Sequence, residues 1–286
     1  MKLRSLLFVP GDSERKFAKA RSVGADALIL DLEDSVAPGQ KAAARSHVAA
    51  LLEERAPRAW SFFVRVNALD TGLALDDLAA VVKPGLDGVL IPKANGAEDI
   101  VRFGHYLDAF ETKAGMSAGS VKIGVVATET PKAMFALSTY APAHPRLAAL
   151  TWGGEDLAAS LGATENRENG VWTFPYEVAR AHCLFAAGAA EVTAIDTIHA
   201  DFRDLAGLER DCRRSRRDGF LGRLAIHPDQ VATINRCYTP SEQEIAQARR
   251  IVEAFAANPG AGALGIDGKM VDIPHLKAAQ KTLASV

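Results

Sequence analysis

The sequence predicts an α/β fold in which eight parallel strands close into a barrel and a short extension follows. Short apolar runs alternate with longer amphipathic stretches along the 286 residues, and eight such runs can be counted. Each run is mostly apolar instead of alternating, which is typical of strands buried on both faces. Strand–helix repetition implies right-handed crossovers in a parallel sheet, and eight units close a (β/α)8 (TIM) barrel. A doubly wound open sheet is the structural alternative.

The eight predicted strands follow one another with a longer stretch between each pair. They are Leu3–Val9, Ala27–Leu32, Ser61–Val66, Gly88–Ile91, Lys122–Ala127, Ala148–Trp152, Glu191–Ile195 and Arg223–Ile226. The intervening stretches carry helix-start signals, since Ser13 is suited to cap a helix and Pro131 lies where a first helical position is expected. In such a barrel the active site lies at the carboxyl ends of the strands.

After the eighth strand the chain continues with elements that a barrel does not need. Ser241 opens a long helix, and a joint rich in Gly and Ala follows it. Asp267-Gly268 is a tight-hairpin signal between two short apolar runs, and a last helix closes the chain. We therefore predict a barrel domain over residues 1–258 and a C-terminal helical and hairpin extension over residues 259–286.

Composition limits the classes of partner. Lys and Arg number 33 against 35 Asp and Glu, a net charge of -2, so no global field attracts the chain to nucleic acid or to an anionic membrane. The first apolar run is halted by Pro10 too early for a signal peptide, and the sequence contains no apolar run of about 18 residues. We expect a protein that binds neither nucleic acid nor membranes.

The sequence argues against a zinc site and a dinucleotide site. Cys183, Cys212 and Cys237 are odd in number, far apart and outside any C-x-x-C spacing, which also excludes a disulfide framework and favours a reducing cytoplasm. Residues 260–265 fit the pattern G-x-G-x-x-G, but no strand precedes them and too little chain follows for a βαβ unit.

Glu129 and Asp156 are the most informative residues of the chain. Each follows a predicted strand where a helix starts, and the two strands are the neighbouring fifth and sixth. Paired oxygen ligands placed in this way predict a divalent cation, and Mg²⁺ commonly takes only one or two protein carboxylates. The alternative is that both acids favour a helix N-terminus. Glu155 is the nearest competing ligand.

Other predicted strand ends are also polar. The two acids at the end of the second strand can orient water or Mg²⁺ around the metal site, or they can pair with the cations of the next two strand ends. A fixed guanidinium can stabilise a developing oxyanion, and a structural ion pair is the alternative for that residue. A histidine at the eighth strand end is expected to make a structural hydrogen bond. In chain order these residues are Pro10, Gly11, Glu33, Asp34, Arg65, Lys93 and His227.

Several motifs together match a known family in the expected order along nearly the whole chain. They are Leu6 to Gly11, Leu30 to Val36, Val64 to Asn67, Ile91 to Lys93, Glu129-Thr130, Gly154 to Ala158, Ile226 to Pro228 and Gly268 to Asp272. On these residues the chain resembles the citrate lyase β-subunit-like proteins of the HpcH/HpaI aldolase superfamily. The resemblance implies a magnesium-dependent carbon–carbon lyase of acyl-CoA esters.

The resemblance also implies roles for individual residues. Glu129 and Asp156 match the magnesium ligands, with Glu155 as a neighbour. Arg65 matches the cation that faces the carbonyl or thioester oxygen of the substrate. The substrate contacts are then Arg65 and Glu129 together with the turn after the first strand, Pro10-Gly11, and the surrounding residues are Glu33, Asp34 and Lys93.

The resemblance gives the C-terminal extension a function. Asp272 matches a mobile acid, which in related malyl-CoA and citramalyl-CoA lyases comes from a C-terminal segment that closes over the site of a neighbouring subunit. Residues 259–286 are then a lid that packs on a neighbouring subunit. Family members are usually trimers or paired trimers, so we expect a homotrimer or a hexamer.

Three functions are compatible with these observations. The first is a lyase that splits a malyl-CoA-like or citramalyl-CoA-like thioester into acetyl-CoA and an α-keto acid. The second is the β-subunit of an acyl-carrier-dependent citrate lyase, which needs companion chains. The third is a noncatalytic barrel that binds acyl-CoA or an organic acid. Arg15 and Lys16 can meet the phosphates of CoA, with solvated surface charge as the alternative. A polar loop over residues 161–172 leaves the substrate preference open.

Overall fold

The computed structural model describes residues 1–54 and 57–285, and eight parallel strands among them form a closed barrel. The strands of the chain are β1 (Ser5–Pro10), β2 (Ala27–Asp31), β3 (Ser61–Arg65), β4 (Gly88–Ile91), β5 (Lys122–Val126), β6 (Leu147–Thr151), β7 (Arg167–Glu168), β8 (Val171–Trp172), β9 (Thr193–Asp196), β10 (Gly222–Ala225), β11 (Ala263–Ile266) and β12 (Lys269–Asp272). Around the barrel, β1 to β6 are followed by β9 and β10, and β10 pairs back with β1. Each predicted strand overlaps one of these eight, so the barrel is confirmed and an open sheet is excluded.

Helices connect the barrel strands. They are α1 (Glu14–Ala20), α2 (Lys41–Glu53), α3 (Ala74–Val81), α4 (Ala97–Lys113), α5 (Pro131–Met134), α6 (Gly154–Leu161), α7 (Phe174–Ala189), α8 (Leu205–Asp218), α9 (Pro228–Tyr238), α10 (Glu242–Ala257) and α11 (Ile273–Ala284), with short 3-10 helices at Pro38–Gln40, Leu69–Thr71 and Leu137–Tyr140. Pro131 begins α5 as predicted, and the hydroxyl of Thr130 accepts a hydrogen bond from Ala133 N at 3.1 Å. Among the described residues, every helix is too short or too polar to span a membrane.

Two apolar clusters stabilise the barrel, one inside it and one between its strands and its helices. Along β2, Ala27 and Ile29 belong to the inner cluster, whereas Leu28 and Leu30 belong to the outer one. Side chains alternate between the two faces of a strand, and each fully buried Leu or Ile contributes roughly 2 kcal/mol relative to an exposed one. By the same alternation Asp31, the last residue of β2, points into the mouth of the barrel.

The strand register brings the last residues of β1, β2 and β3 into one layer. Asp31 lies opposite Arg65 across β2 and β3, and Pro10 lies opposite Asp31 across β1 and β2. Gly11 packs directly behind this layer, where a Cβ atom would lie 2.6 Å from the carbonyl oxygen of Asp31. Only glycine allows the two backbones to approach so closely.

The C-terminal elements form a hairpin and a helix that pack beside α10. Ser241 caps α10, since its hydroxyl accepts from Glu244 N at 3.2 Å and its own N–H donates to the Glu244 carboxylate at 2.7 Å. The turn between β11 and β12 has positive φ at Asp267 (49°) and Gly268 (73°), as the tight-hairpin signal predicts. The α11 helix packs against α10. The domain boundary after residue 258 stays a prediction.

Candidate active site at the barrel mouth

A cavity of about 770 Å³ opens at the carboxyl ends of the barrel strands. Its walls combine apolar side chains, carboxylates and one guanidinium, and α1 contributes three basic residues. Such a concave, mostly apolar site with a few convergent polar groups is the usual form of a small-molecule site. The lining includes Phe8, Pro10, Asp31, Asp34, Arg65, Asp156, Ile198, Ile226 and His227, with Arg15, Lys16 and Lys19 from α1.

Arg65 is held rigidly at the mouth of the cavity. Its Nε and Nη2 donate to the two carboxylate oxygens of Asp31, each at 2.7 Å, and its guanidinium lies 4.8 Å from the centre of the Phe8 ring. Its Nη1 lies 2.9 Å from Glu33 Oε2, an ion pair without hydrogen-bond geometry. Burial would lower the pKa of Arg65, but the hydrogen bonds to Asp31 together with the negative charges of Asp31, Glu33 and Asp34 outweigh it and raise the pKa, so the side chain stays charged.

Lys93 links the acids of neighbouring strand ends. Its Nζ donates to Glu33 and lies 3.3 Å from Asp34 Oδ2 and 3.4 Å from Asp156 Oδ1. Burial would lower the pKa of Lys93, but the hydrogen bond to Glu33 together with the negative charges of Glu33, Asp156 and Asp34 outweighs it and raises the pKa. For Glu33 the balance is reversed, because burial raises its pKa in spite of Arg65. The pairing of strand-end acids with strand-end cations, left open by the sequence, therefore occurs.

Glu129 is a buried carboxylate that faces a second carboxylate. Its residue is only 3% exposed, and its Oε2 accepts the backbone N–H of Lys93 at 2.5 Å. Burial and repulsion by Asp156 raise the pKa of Glu129 to about 8. A carboxylate in such surroundings needs either a proton or a nearby cation. A divalent cation between Glu129 and Asp156 would meet this requirement.

The backbone around Glu129 and Asp156 leaves space for the carboxylates. A Cβ atom at Gly153 would lie 2.6 Å from Cγ of Glu129, so the glycine provides room for that side chain. Asp156 follows in the first turn of α6 and lines the cavity. The described residues contain no group of three or more His, Cys, Asp or Glu that could hold a metal. Two carboxylates fit Mg²⁺, which fills its remaining positions with water or substrate oxygens.

Comparison with known proteins assigns the chain to a family. The model of the HpcH/HpaI aldolase/citrate lyase family matches residues 4–228, which include the whole barrel. The chain belongs to this family. The prediction made from its motifs is confirmed.

Three similar proteins show the range of activities in the family. The chain is 34% identical to citrate lyase subunit beta of Haemophilus influenzae, with 99% of this chain and 97% of the relative covered. It is 35% identical to (3S)-malyl-CoA thioesterase of Cereibacter sphaeroides (98% and 93% covered) and 33% identical to the mitochondrial citramalyl-CoA lyase of Homo sapiens (98% and 84%). Two of these three names refer to a CoA thioester.

A solved structure shares the fold over its whole length. It is the protein CitE of Mycobacterium tuberculosis in complex with magnesium, acetoacetate and coenzyme A. The similarity has a TM-score of 0.78 at 33% identity, with 99% of this chain and 97% of that chain covered. The family's barrel and its C-terminal elements are therefore both matched.

Two residues that contribute to the site are not among those predicted from the sequence. Lys41 of α2 donates from Nζ to the carbonyl oxygens of Leu32 and Glu33, each at 2.7 Å, and to Asn67 Oδ1 at 2.9 Å, and so fixes the segment after β2. No signal distinguishes it from other helix lysines. Asp31, which is not among the predicted site residues, is the main partner of Arg65, and the alignment of the ends of β2 and β3 accounts for their pairing.

The polar loop over residues 161–172 forms a small hairpin of β7 and β8 that is anchored beside the first turn of α6. Trp172 packs against Trp152, with ring centroids 4.9 Å apart. Glu155 accepts a hydrogen bond from Asn166 of the loop at 2.8 Å, so its carboxylate is engaged away from the cavity. Asp156, and not Glu155, lines the cavity.

His227 has the structural contacts that the sequence predicts. It caps α9, its Nδ1 accepting from Asp229 N at 3.3 Å, and its ring stacks on Phe202 with centroids 4.7 Å apart. It also lines the cavity, so its ring forms part of the wall.

Asp272 lies apart from the other predicted residues. It ends β12 and caps α11, and its carboxylate is hydrogen-bonded to His275, which lowers the pKa of Asp272. It is absent from the described lining of the mouth cavity. Arg65 and Asp156 thus line the cavity whereas Asp272 does not, and the catalytic role of Asp272 stays a prediction.

Proposed function

We propose that this protein is a Mg²⁺-dependent lyase that splits a β-hydroxyacyl-CoA thioester of the malyl-CoA or citramalyl-CoA type. The products are acetyl-CoA and glyoxylate or pyruvate. The observation that carries the proposal is the carboxylate pair Glu129 and Asp156 beside the fixed guanidinium of Arg65. The named CoA thioesters of two relatives, and the magnesium and coenzyme A bound by a third, support the same reading.

The reaction breaks one carbon–carbon bond. The substrate hydroxyl loses its proton and becomes the carbonyl of the keto acid, while the electron pair of the breaking bond passes to the thioester fragment. The resulting enolate takes up a proton at carbon and leaves as acetyl-CoA. The site must therefore stabilise an enolate oxygen, polarise a carbonyl and manage two proton transfers.

Arg65 suits the enolate oxygen. Asp31 engages Nε and Nη2 and fixes the plane of the guanidinium, whereas Nη1 makes only ion-pair contacts with Glu33 and Asp34 and keeps its N–H groups available to a substrate oxygen. A preorganised donor of this kind does not have to reorient during the reaction. Loss of one such donor typically costs about 100- to 1,000-fold in rate.

The chain prepares the carboxylate pair for a metal. Mg²⁺ bound by Glu129 and Asp156 would supply a Lewis acid for the oxygens of the keto acid. The N–H of Lys93 orients the Glu129 carboxylate, and Gly153 leaves the space in which it lies. Glu33 and Asp34 act on the site through Lys93, with which both are paired.

The basic residues of α1 suit the coenzyme. Arg15, Lys16 and Lys19 line the same cavity as Arg65, so a thioester at Arg65 can extend its phosphates towards them. Lysine and arginine are the usual partners of phosphate oxygens. Pro10 lies in the wall between α1 and the strand ends, and Gly11 acts behind it by its close packing on β2.

We also propose that Asp272 reaches the site of a neighbouring subunit in a homotrimer or hexamer. In its own chain Asp272 lies at the hairpin beside α10, outside the cavity lining. Residues 259–286 would then act as a lid in trans and exclude water during proton transfer. The three cysteines are buried and form no disulfide, which supports the expected cytoplasmic location.

A second candidate is the β-subunit of an acyl-carrier-dependent citrate lyase. The 34% identity to such a subunit over 99% of this chain favours it. It would use the same carboxylate pair on a citryl thioester and would need companion chains. A noncatalytic barrel is disfavoured, because Arg65 and Asp156 line one cavity and the Asp156 carboxylate acts on the buried carboxyl group of Glu129.

An assay of the purified protein with Mg²⁺ and either malyl-CoA or citramalyl-CoA distinguishes these functions. A lyase releases an α-keto acid and acetyl-CoA but no free thiol. Hydrazone formation measures the α-keto acid, and a thiol reagent measures free thiol in a parallel sample. Free thiol without keto acid indicates thioester hydrolysis. No product from either substrate, together with activity on a citryl carrier in the presence of companion chains, indicates the subunit. Glu129→Gln is the control that should abolish the lyase signal.

A further inference from the structure

Lys93 contacts both predicted metal ligands. Its backbone N–H donates to Glu129, and its Nζ lies 3.4 Å from Asp156 Oδ1. Within residues 1–54 and 57–285, no other residue donates a hydrogen bond to one of these carboxylates and forms an ion pair with the other. Its backbone is in the left-handed region, with φ of 51°, which a lysine adopts only where the surroundings impose it.

Around Arg65 and Lys93, the acids outnumber these two cations. Arg65 is committed to Asp31 and Glu33, and its side chain is 13% exposed. Lys93 is 30% exposed and has three carboxylates within reach, so its ammonium has alternative partners. The charged groups of these two residues contact four carboxylates, which are Asp31, Glu33, Asp34 and Asp156. The carboxyl group of Glu129 is held by the backbone N–H of Lys93.

We propose that Lys93 is a built-in competitor for the metal. In the metal-free protein its ammonium neutralises Asp156, and an incoming divalent cation displaces it onto Glu33 and Asp34. The inference rests on the proposed metal site of Glu129 and Asp156. A divalent cation and the Lys93 ammonium would repel each other strongly if both lay against Asp156. The free energy needed to displace the ammonium therefore weakens the net binding of the metal.

The structure provides a destination for the displaced ammonium. Nζ of Lys93 already donates to Glu33 and lies 3.3 Å from Asp34 Oδ2. A small rotation at the end of the side chain can break the contact with Asp156 while these two remain. The backbone N–H need not move, so Glu129 stays oriented throughout.

The opposite hypothesis is that the Lys93 side chain preorganises the carboxylates for the metal. The two hypotheses predict opposite signs when the charge is removed. If Lys93 competes, its removal tightens metal binding; if it preorganises the site, its removal weakens binding.

The variant Lys93→Met removes the charge and keeps the side-chain length and the backbone N–H that holds Glu129. Free Mn²⁺ measured by electron paramagnetic resonance gives the dissociation constant of Mn²⁺, and competition gives that of Mg²⁺. We expect both metals to bind at least about tenfold more tightly to the variant than to the unmodified protein. The melting temperature without metal should fall, and Mg²⁺ should raise it by more in the variant.

Lys19→Met is the matched control, because Lys19 lines the same cavity and takes part in none of the described ion pairs. It should change metal affinity by less than twofold. If Lys93→Met does not fold without metal, Lys93→Gln, which can still hydrogen-bond Glu33, should show the same tightening.

Three results would overturn the inference. One is unchanged or weaker Mn²⁺ binding in both Lys93 variants, and another is equal tightening by Lys19→Met, which would show a general field effect. The third is absence of Mn²⁺ binding to the unmodified protein, which would overturn the metal site of the proposed function as well. Tightening confined to Lys93 variants supports it, whichever thioester is the substrate.

Discussion

Asp31 holds the guanidinium of Arg65 with both carboxylate oxygens, Oδ1 on Nε and Oδ2 on Nη2, each at 2.7 Å. The same carboxylate accepts the backbone N–H groups of Glu33 at 2.9 Å and Ser35 at 3.0 Å. Burial alone would raise the pKa of Asp31, but the hydrogen bonds from Arg65 and the backbone outweigh it and lower the pKa. Asp31 is therefore the charged anchor that sets the direction of Arg65.

Asp31→Asn should impair catalysis without affecting the metal. The amide can accept from only one guanidinium nitrogen, so Arg65 loses its fixed plane while Glu129 and Asp156 are untouched. We expect kcat to fall at least about tenfold with Mg²⁺ affinity within twofold, and the free energy of unfolding to fall by about 3 kcal/mol, as for a broken buried ion pair. Steady-state kinetics, metal titration and urea unfolding measure the three quantities.

Asp218→Asn is the control for that change. It breaks the 2.8 Å contact between Asp218 and Arg180, which lies outside the lining of the cavity. It should lower stability without lowering kcat. An unchanged kcat in Asp31→Asn would show that Arg65 does not depend on Asp31 for its orientation.

The sequence predicts the barrel because every barrel strand is buried on both faces, and each therefore appears in the sequence as a mostly apolar run. It also places Glu129, Asp156, Arg65 and Lys93 on one face, because the carboxyl ends of parallel strands share one edge. It does not show which acid pairs with which cation. That choice depends on strand register, and a shift of one residue turns every side chain to the other face.

Contacts made by side chains from helices are harder to foresee. Lys41 reaches the loop after β2 from the first residue of α2, and Gly153 matters only because Glu129 lies against it. Neither follows from periodicity or from local motifs. The proposed role of Asp272 is of the same kind, since a contact with a neighbouring subunit would not follow from the sequence pattern of one chain.

The raised pKa of Glu129 predicts how stability and metal binding change with pH. The folded metal-free protein holds the proton up to pH of about 8, whereas an unfolded glutamate releases it near 4.5. Between these values the unfolded state binds fewer protons, so the free energy of unfolding should fall as pH rises. Mg²⁺ needs the ionised carboxylate, so its affinity should rise over the same interval and level off above pH 8.

Glu129→Gln supplies the comparison for this titration. The variant has no proton to lose at that position, so the difference between the two proteins isolates Glu129 from the other titrating groups. Urea unfolding with chelator from pH 5.5 to 9, followed by Mg²⁺ titration, measures both effects. A constant difference across the interval would mean that Glu129 is already ionised at pH 5.5.

Gly153→Ala should weaken metal binding by displacing Glu129. The new methyl group would lie 2.6 Å from Cγ of Glu129, a distance that requires the carboxylate to move. We expect Mg²⁺ affinity to fall at least about tenfold, since metal ligands must keep their geometry. Gly188→Ala is the control, because a Cβ there meets nothing within 4 Å inside α7 and should leave affinity unchanged with stability equal or higher. Equal affinities in both variants would show that the Glu129 carboxylate can shift without loss of the metal.

Whether Asp272 acts in trans can be decided by mixing two inactive variants. Asp272→Asn lacks the acid but has an intact metal site, and Glu129→Gln lacks the metal site but has an intact lid segment. In a ring where each lid serves the next subunit, random assembly of equal amounts places an intact lid on an intact metal site at about a quarter of the sites. Co-refolding or co-expression of the two variants should then restore about a quarter of the lyase activity, whereas the doubly substituted chain mixed with either variant should restore none.

A mixture as inactive as its components would mean that Asp272 serves its own subunit or takes no part in the reaction. Asp272→Asn that is fully active alone would restrict the residue to capping α11.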